Sequence, residues 1–329
     1  MAKRIAVLGA GGWGTALAVI AAARGASVAL WARRPEAADE LRRTRQNATY
    51  LPGVPIPAAV EIVSGAVPEA DAYVCAVPTQ HIRATLTKSS VGNRPLLSVS
   101  KGIEQGTLLR PSEILREIYA KARVTVLSGP SHAEEAARGL PTTVVAAARR
   151  EKEAVAWQQL LSGGAFRVYT SNDPLGVELG GALKNVIAIA AGIGDGLKLG
   201  DNAKAALLSR GIVEMSRLGV ALGARKQTFF GISGIGDLIT TCTSEHGRNL
   251  RVGRQLGAGR KLEEVLGGMR MVAEGVWTAR AVCKLAAKHK VEMPICAEVH
   301  AMLHEGKPPR DALRSLMSRM PRSEAEDLE

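Results

Sequence analysis

Lys184 and Asn185 stand side by side in a run that is otherwise apolar, with Gly181-Ala182-Leu183 before them and Val186-Ile187-Ala188-Ile189 after. A lysine in such surroundings either extends its methylenes toward water or serves a reaction. The neighbouring amide favours the second reading. Acid/base work near neutrality needs the ammonium pKa brought from ~10.4 to roughly 7–8, on the order of 4 kcal/mol. Partial burial supplies some of this. A second cation ~4 Å away, at an effective dielectric of about 20, supplies about 4 kcal/mol more. Lys101, in Ser100-Lys101-Gly102, is the candidate for that cation, although its spacing alone suits a helix cap or a surface equally. Asp237, in Gly234-Ile235-Gly236-Asp237-Leu238-Ile239-Thr240-Thr241, acts in the opposite sense and orients the lysine rather than activating it. Two polar turns accompany these groups: Ser128-Gly129-Pro130-Ser131 after an apolar run, and Gly247-Arg248-Asn249. Guanidinium beside amide has the makeup of a phosphate clamp, although an arginine in a turn is usually just solvated. His300 and His304 are four apart but have no third ligand at motif spacing. They read as two partly exposed histidines, so no metal is expected.

These groups need a scaffold, and the N-terminus names one. Ile5 to Leu8 is a short apolar run, read as a buried strand. Gly9, Gly11 and Gly14 follow at G-x-G-x-x-G spacing with Gly12 and Trp13 between them, and Thr15 to Arg24 reads as a helix. Strand, glycine turn and helix in that order form the dinucleotide fingerprint. Gly9 permits the tight turn, Gly11 lets backbone approach a pyrophosphate, and Gly14 lets helix pack on strand. The free N–H groups and dipole of the helix start then face the phosphates. Strand two, Ala26 to Trp31, ends in Ala32-Arg33-Arg34 with no acidic residue at its tip. Two guanidinium groups there suit the 2′-phosphate of NADP. They do not exclude NAD, whose neutral hydroxyl they need not repel.

The first half continues to alternate. Further strands are read at 72–77, 96–100, 124–127, 142–147 and 166–169, a polar helix at 35–46 and a Pro/Gly-rich loop at 50–57. Strands ending in Gly, Pro or Ser turns, with helices between, predict a doubly wound α/β sheet of parallel strands. After Ser171-Asn172-Asp173-Pro174 the period changes, with Asp173 as cap and Pro174 at the first helical position. Helices are read at 174–192, 203–222, 262–266, 278–289, 294–303 and 310–317, with no convincing strand. The expected organisation is a Rossmann-like domain, 1–172, and an all-α substrate-binding domain, 173–329, with the site between them.

The 329 residues suit two domains, and aromatics at 3% require aliphatic cores. No apolar stretch reaches the ~20 residues of a membrane span. The first strand starts too early to leave room for a signal peptide. Cys75, Cys242, Cys283 and Cys296 form no C-x-x-C pair and read as reduced, buried thiols of a cytoplasmic protein. A net charge of +12 raises nucleic acid as a partner, but the basic residues are scattered and aromatics are few. Attraction of a doubly anionic phosphate substrate is the better use of that field.

Together, Gly9-Ala10-Gly11-Gly12-Trp13-Gly14-Thr15, Ser100-Lys101-Gly102, Leu127-Ser128-Gly129-Pro130-Ser131, Gly180-Gly181-Ala182-Leu183-Lys184-Asn185-Val186, Gly234-Ile235-Gly236-Asp237-Leu238, Thr241-Cys242-Thr243, Arg248-Asn249 and Val272-Ala273-Glu274-Gly275 resemble the bacterial NAD(P)-dependent glycerol-3-phosphate dehydrogenases over nearly the whole chain. The resemblance implies interconversion of dihydroxyacetone phosphate and sn-glycerol 3-phosphate, supplying glycerophospholipid synthesis, by a cytoplasmic homodimer. It implies Lys184 as general acid/base and Asp237 as its holder, bonded also to substrate. Lys101 would touch both substrate and nicotinamide. Gly129, Ser131, Asn185, Gly247, Arg248 and Asn249 would meet the substrate. Gly12, Trp13, Arg33, Ala133, Arg248, Val272 and Glu274 would line the cofactor, with Gly9, Gly11, Gly14 and Arg34. Gly247 departs from the serine often found before the Arg-Asn pair, which removes a hydroxyl contact to phosphate. Two rival readings stay open: a 3-hydroxyacid or 6-phosphogluconate-type dehydrogenase, which would take a carboxylate substrate, and a non-catalytic NADP sensor, which would have no use for Lys184, Lys101 and Asp237 together.

Overall fold

The computed structural model describes residues 4–269, 273–321 and 323–324. The chain divides into two compact units, Met1–Lys101 with Leu109–Glu178, and Gly102–Leu108 with Leu179–Glu329.

The first unit runs β1 (Arg4–Leu8), α1 (Gly12–Ala23), β2 (Ser27–Trp31), α2 (Pro35–Thr44), β3 (Gln46–Asn47), β4 (Leu51–Pro55), β5 (Val60–Val63), β6 (Ala72–Cys75), α3 (Ile82–Leu86), β7 (Pro95–Ser98), α4 (Pro111–Ile118), β8 (Arg123–Ser128), α5 (Ala133–Ala137), β9 (Thr142–Ala147), α6 (Glu151–Leu161) and β10 (Phe166–Ser171). Eight strands form one sheet in the order β10-β9-β8-β7-β6-β1-β2-β5. Along β1, Ile5 and Val7 enter one apolar core while Ala6 and Leu8 enter another. Burial on both faces is the mark of a parallel sheet with helices on each side. The chain leaves β1 toward β2 on one side and returns to β6 on the other, so the strand order reverses there. The crevice beyond the carboxyl ends at such a reversal is where ligands bind.

Three details differ from the sequence reading. β9 runs antiparallel to β8; its residues are nearly all buried, as in β8, and nothing in its composition marks direction. Val60–Val63 adds a strand beside β2. The 50–57 segment read as loop contains β4, paired antiparallel with β3. Leu51 and Val54 are buried against Ala16 of α1, while Pro52 and Gly53, which signalled a loop, occupy exposed positions of this ribbon.

The regular elements of the second unit are all helical among its described residues. It contains α7 (Pro174–Gly196, begun in the first unit), α8 (Gly200–Ala221), α9 (Lys226–Phe229), a π-helical turn (Ile232–Gly236), α10 (Asp237–Thr243), α11 (Arg248–Gly257), α12 (Leu262–Gly267), α13 (Glu274–His289), α14 (Pro294–His304) and α15 (Pro309–Met317). Asp173 starts α7 by accepting the Gly176 N–H at 3.0 Å, with Pro174 at the first helical position. At 23 residues, α7 is by length and composition able to cross a membrane, contrary to the expectation of no such stretch. Its apolar window is 94% buried in the protein, as in a core helix.

Glycines bring α7 and α11 together. A Cβ on Gly192 would lie 2.1 Å from the Leu250 carbonyl oxygen, and one on Gly253 2.1 Å from that of Ile189. Only backbone fits at this contact, which sets α11 along the C-terminal half of α7.

Candidate active site

In the first unit the glycine turn joins β1 to α1. Gly9 has φ +114°, and a Cβ on it would lie 2.9 Å from the Ala76 carbonyl oxygen just beyond β6. A Cβ on Gly14 would lie 2.0 Å from the Gly9 carbonyl oxygen, so α1 packs directly on the turn. Gly11 is different: a Cβ there would meet nothing within 4 Å. Its smallness keeps space open in front of the helix. No side chain caps α1, whose N-cap is Gly11 itself. Open space and N–H groups without a side-chain cap, at a positive helix end, fit a dinucleotide pyrophosphate. Gly12 answers a second demand, since a Cβ on it would lie 2.5 Å from the Tyr50 carbonyl oxygen and 3.6 Å from Ala133 Cβ. The fold thereby brings Ala133, at the start of α5, to the turn. Trp13 is partly buried beside Leu51, Val54 and Ala133, its ring 6.3 Å from that of Phe166. Arg33 and Arg34, past the end of β2, are exposed. They are available to a 2′-phosphate.

Lys101, Gly129 and Ser131 also meet in this unit, beyond the adjacent carboxyl ends of β7 and β8. Lys101 Nζ donates to the Gly129 carbonyl at 2.9 Å and to Ser131 Oγ at 3.1 Å. Gly129, at φ +134°, turns that carbonyl toward the lysine.

In the second unit Lys184 and Asp237 are 5% and 1% exposed, and Lys184 Nζ donates to Asp237 Oδ1 at 2.6 Å. The lysine also donates to Thr241 Oγ1, whose own hydroxyl donates to the Asp237 carbonyl at 2.7 Å. Asp237 reaches this place because the π-helical turn before it packs on α7. A Cβ on Gly180 would be 2.6 Å from the Ser233 carbonyl oxygen, and one on Gly234 2.0 Å from that of Phe229. Such turns recur where a helix must aim a functional side chain. Asn185, next to the lysine, accepts Asn249 Nδ2 at 2.9 Å, and Asn249 Oδ1 accepts the Gly275 N–H of α13 at 3.0 Å. Glu274, the preceding residue, opens that helix.

The stretch read as a short polar turn is the N-terminus of α11. Gly247 is its N-cap, Arg248 its first residue and exposed, Asn249 buried. Helix-start N–H groups and a guanidinium thus share one helix end, an arrangement able to bind an anion. A Cβ at position 247 would lie 2.9 Å from the Thr241 carbonyl oxygen, so the glycine also fills a packing need. Val272 lies outside the described residues.

Other groups are occupied by the fold. His300 Nδ1 lies 3.2 Å from Glu305 Oε1. His304 Nε2 contacts the Val276 carbonyl at 3.0 Å. Burial holds the His304 imidazole below the usual histidine range. All four cysteines are free, and Cys283 is only partly buried. Burial pushes the Cys75 and Cys283 thiols up to about 11 and that of Cys242 up to about 12, so they remain thiols at neutral pH.

Sequence reading missed Asn47, Tyr50 and Thr241 as site components. Thr241 had a signal, because it lies one turn after Asp237 on the same helical face. The contacts of Asn47 and Tyr50 with the glycine turn had none, because Ala10, Gly12 and Thr15 lie 32 or more residues earlier in the chain.

A mainly parallel sheet with a glycine turn at its strand-order reversal, together with a helical unit carrying a buried lysine–aspartate pair, defines an NAD(P)-dependent dehydrogenase. Family models agree on which kind: the N-terminal model of NAD-dependent glycerol-3-phosphate dehydrogenase matches residues 4–154 and the C-terminal model residues 173–314. The glycerol-3-phosphate dehydrogenase [NAD(P)+] of Chlorobium phaeobacteroides (strain BS1) is 50% identical over 98% of this chain and 99% of its own. That of Moorella thermoacetica is 50% identical over 97% of each chain. The crystal structure of glycerol-3-phosphate dehydrogenase from Coxiella burnetii superimposes with a TM-score of 0.92 at 37% identity, covering 96% of this chain and 99% of the other. The chain belongs to the NAD-dependent glycerol-3-phosphate dehydrogenase family.

Proposed function

We propose that this enzyme interconverts dihydroxyacetone phosphate and sn-glycerol 3-phosphate with NADPH or NADH. The observation that carries the mechanism is the buried Lys184–Asp237 pair with Thr241 against it. When bound, the reduced nicotinamide supplies the hydride that the C2 carbonyl carbon accepts. Lys184 stabilises the charge developing on the C2 oxygen and gives up its proton to it. Asp237 and Thr241 hold the ammonium in one orientation, so little reorganisation is left for the reaction itself. The neutral amine then regains a proton from solvent. Lys101, fixed by Gly129 and Ser131, offers a positive charge to substrate and nicotinamide. Arg248 and the N–H groups at the start of α11 bind the substrate phosphate, and Asn249, braced between Asn185 and Gly275, contributes its remaining amide hydrogen. Glu274 and Val272 flank the cofactor in this scheme.

Supply of the product to glycerophospholipid synthesis, a cytoplasmic location and a homodimeric state belong to the same proposal and rest on family membership. The test is oxidation of NADPH and of NADH by purified protein with dihydroxyacetone phosphate, followed by reduced-nicotinamide absorbance. Turnover with this substrate and none with 3-keto acids is expected. Turnover only with carboxylate substrates would overturn the assignment.

A further inference from the structure

We infer that Asn47 is a positioning residue of the dinucleotide site: it fixes the direction of the Ala10–Gly11 peptide and with it the aim of the Gly11 N–H. The inference rests on the glycine turn being the pyrophosphate site.

Asn47 lies in the short ribbon formed by β3 and β4, outside the fingerprint, and its side chain is buried. Its Nδ2 donates to the Ala10 carbonyl at 3.0 Å and to Thr15 Oγ1 at 2.8 Å, while Oδ1 accepts the Tyr50 N–H at 3.2 Å. The chemistry of the partners leaves no ambiguity in the amide's orientation. A carbonyl can only accept and an N–H can only donate, so the nitrogen must face Ala10 and the oxygen Tyr50. One side chain thus spans the turn from its second residue to the first turn of α1.

In a trans peptide the C=O and the N–H point to opposite sides. With the Ala10 oxygen held on the ribbon side, the Gly11 N–H faces away from the ribbon. Gly11 has open space around its Cα position and, as glycine, the fewest steric limits on rotation. A flip of this peptide would replace the donor with a carbonyl oxygen facing an anion. The Asn47 amide is the contact that opposes that flip. The backbone of Tyr50, tied to Asn47, also meets Gly12, where a Cβ would lie 2.5 Å from its carbonyl oxygen. The ribbon is therefore a brace for the turn as well as a cover for α1.

The experiment measures NADPH Kd by nucleotide fluorescence, with Tm, for wild type, Asn47→Ala, Asn47→Asp and Leu51→Ala. Adenosine 2′-monophosphate, which lacks the pyrophosphate, is the second probe. Asn47→Asp keeps size and acceptors but cannot donate to Ala10. Leu51→Ala loosens the ribbon's packing on α1 but leaves the amide of Asn47, its cross-strand neighbour, able to donate to Ala10. Losing one aligned donor to a charged group corresponds to roughly a ten- to hundredfold rise in Kd. Both Asn47 variants are expected to show that rise for NADPH, with adenosine 2′-monophosphate binding unchanged. Leu51→Ala is expected to lower Tm and leave the NADPH Kd near wild type. Equal weakening of both probes, equal weakening by Leu51→Ala, or a wild-type Kd in Asn47→Ala would each overturn the inference. A wild-type protein that binds no NADPH would instead refute the cofactor reading beneath it.

Discussion

Replacing Lys184 with methionine separates two consequences of the same contact. Methionine keeps the length of the chain and loses its charge. The ammonium it removes lies 2.6 Å from Asp237 Oδ1, with both residues almost wholly buried. Asp237 then keeps a charge in the interior without the ammonium that balanced it, a change that costs about 3–5 kcal/mol. At about 2–4 °C per kcal/mol for a domain of this size, Tm should fall by roughly 6–20 °C. Neutralising the aspartate as well, in Lys184→Met/Asp237→Asn, removes the stranded charge and should restore most of that loss. Turnover should behave differently. A positioned general acid is worth about 10²- to 10⁴-fold, and the double variant has none, so its kcat should stay down by that factor. The assays are thermal unfolding followed by circular dichroism, and NADPH oxidation at saturating dihydroxyacetone phosphate. A single variant within about threefold of wild-type turnover would refute the role of Lys184 as acid. A double variant that regains turnover along with Tm would show that the pair acts only through folding.

Removing both guanidinium groups in Arg33→Ala/Arg34→Ala should raise the KM for NADPH by about tenfold or more, by loss of charge-assisted bonds, and leave that for NADH nearly unchanged; equal changes would break the link to the 2′-phosphate. Gly247→Ser should not simply add a phosphate contact. The new Cβ would lie 2.9 Å from the Thr241 carbonyl oxygen, so a stability loss of about 1–3 kcal/mol is expected with no fall in substrate KM; a tighter KM at unchanged Tm would contradict this. Glu214 on α8 accepts the N–H groups of Ile295 and Cys296 at the start of α14, yet burial pushes its carboxyl up to about 7. Between pH ~4.5 and ~7 the unfolded chain has released this proton and the folded one retains it, so stability falls as pH rises across that window and levels off above it. Glu214→Gln should flatten that part of the Tm–pH profile; an equally steep profile in the variant would exclude Glu214 as its source.

Legibility in the sequence followed the range of the contact. The glycine turn, the paired arginines and the cap at Asp173 are local patterns, and each appears where its spacing indicated. Lys184 was visible because an ammonium in an apolar helix is costly. The β3–β4 ribbon was not visible, because Pro52 and Gly53 carry turn chemistry and its stability comes from Leu51 and Val54 packing on a helix far earlier in the chain. The start of α11 read as a polar turn for a related reason. Its helicity depends on a glycine contact with α7 some sixty residues earlier, and propensity alone rarely holds so short a helix.

From its sequence alone this protein reads as a two-part chain with a dinucleotide turn and candidates for a reactive lysine and a phosphate-binding arginine, because residue type and short spacing carry that much. Asp237 was already the expected holder of the lysine; tertiary structure decided that it reaches Lys184 from 53 positions away and that Thr241, 57 positions away, joins it. It also decided that Asn47 holds the glycine turn. Those pairings depend on which surfaces meet when α7 packs against the π-helical turn and α1 against the ribbon, and no local pattern records such a meeting.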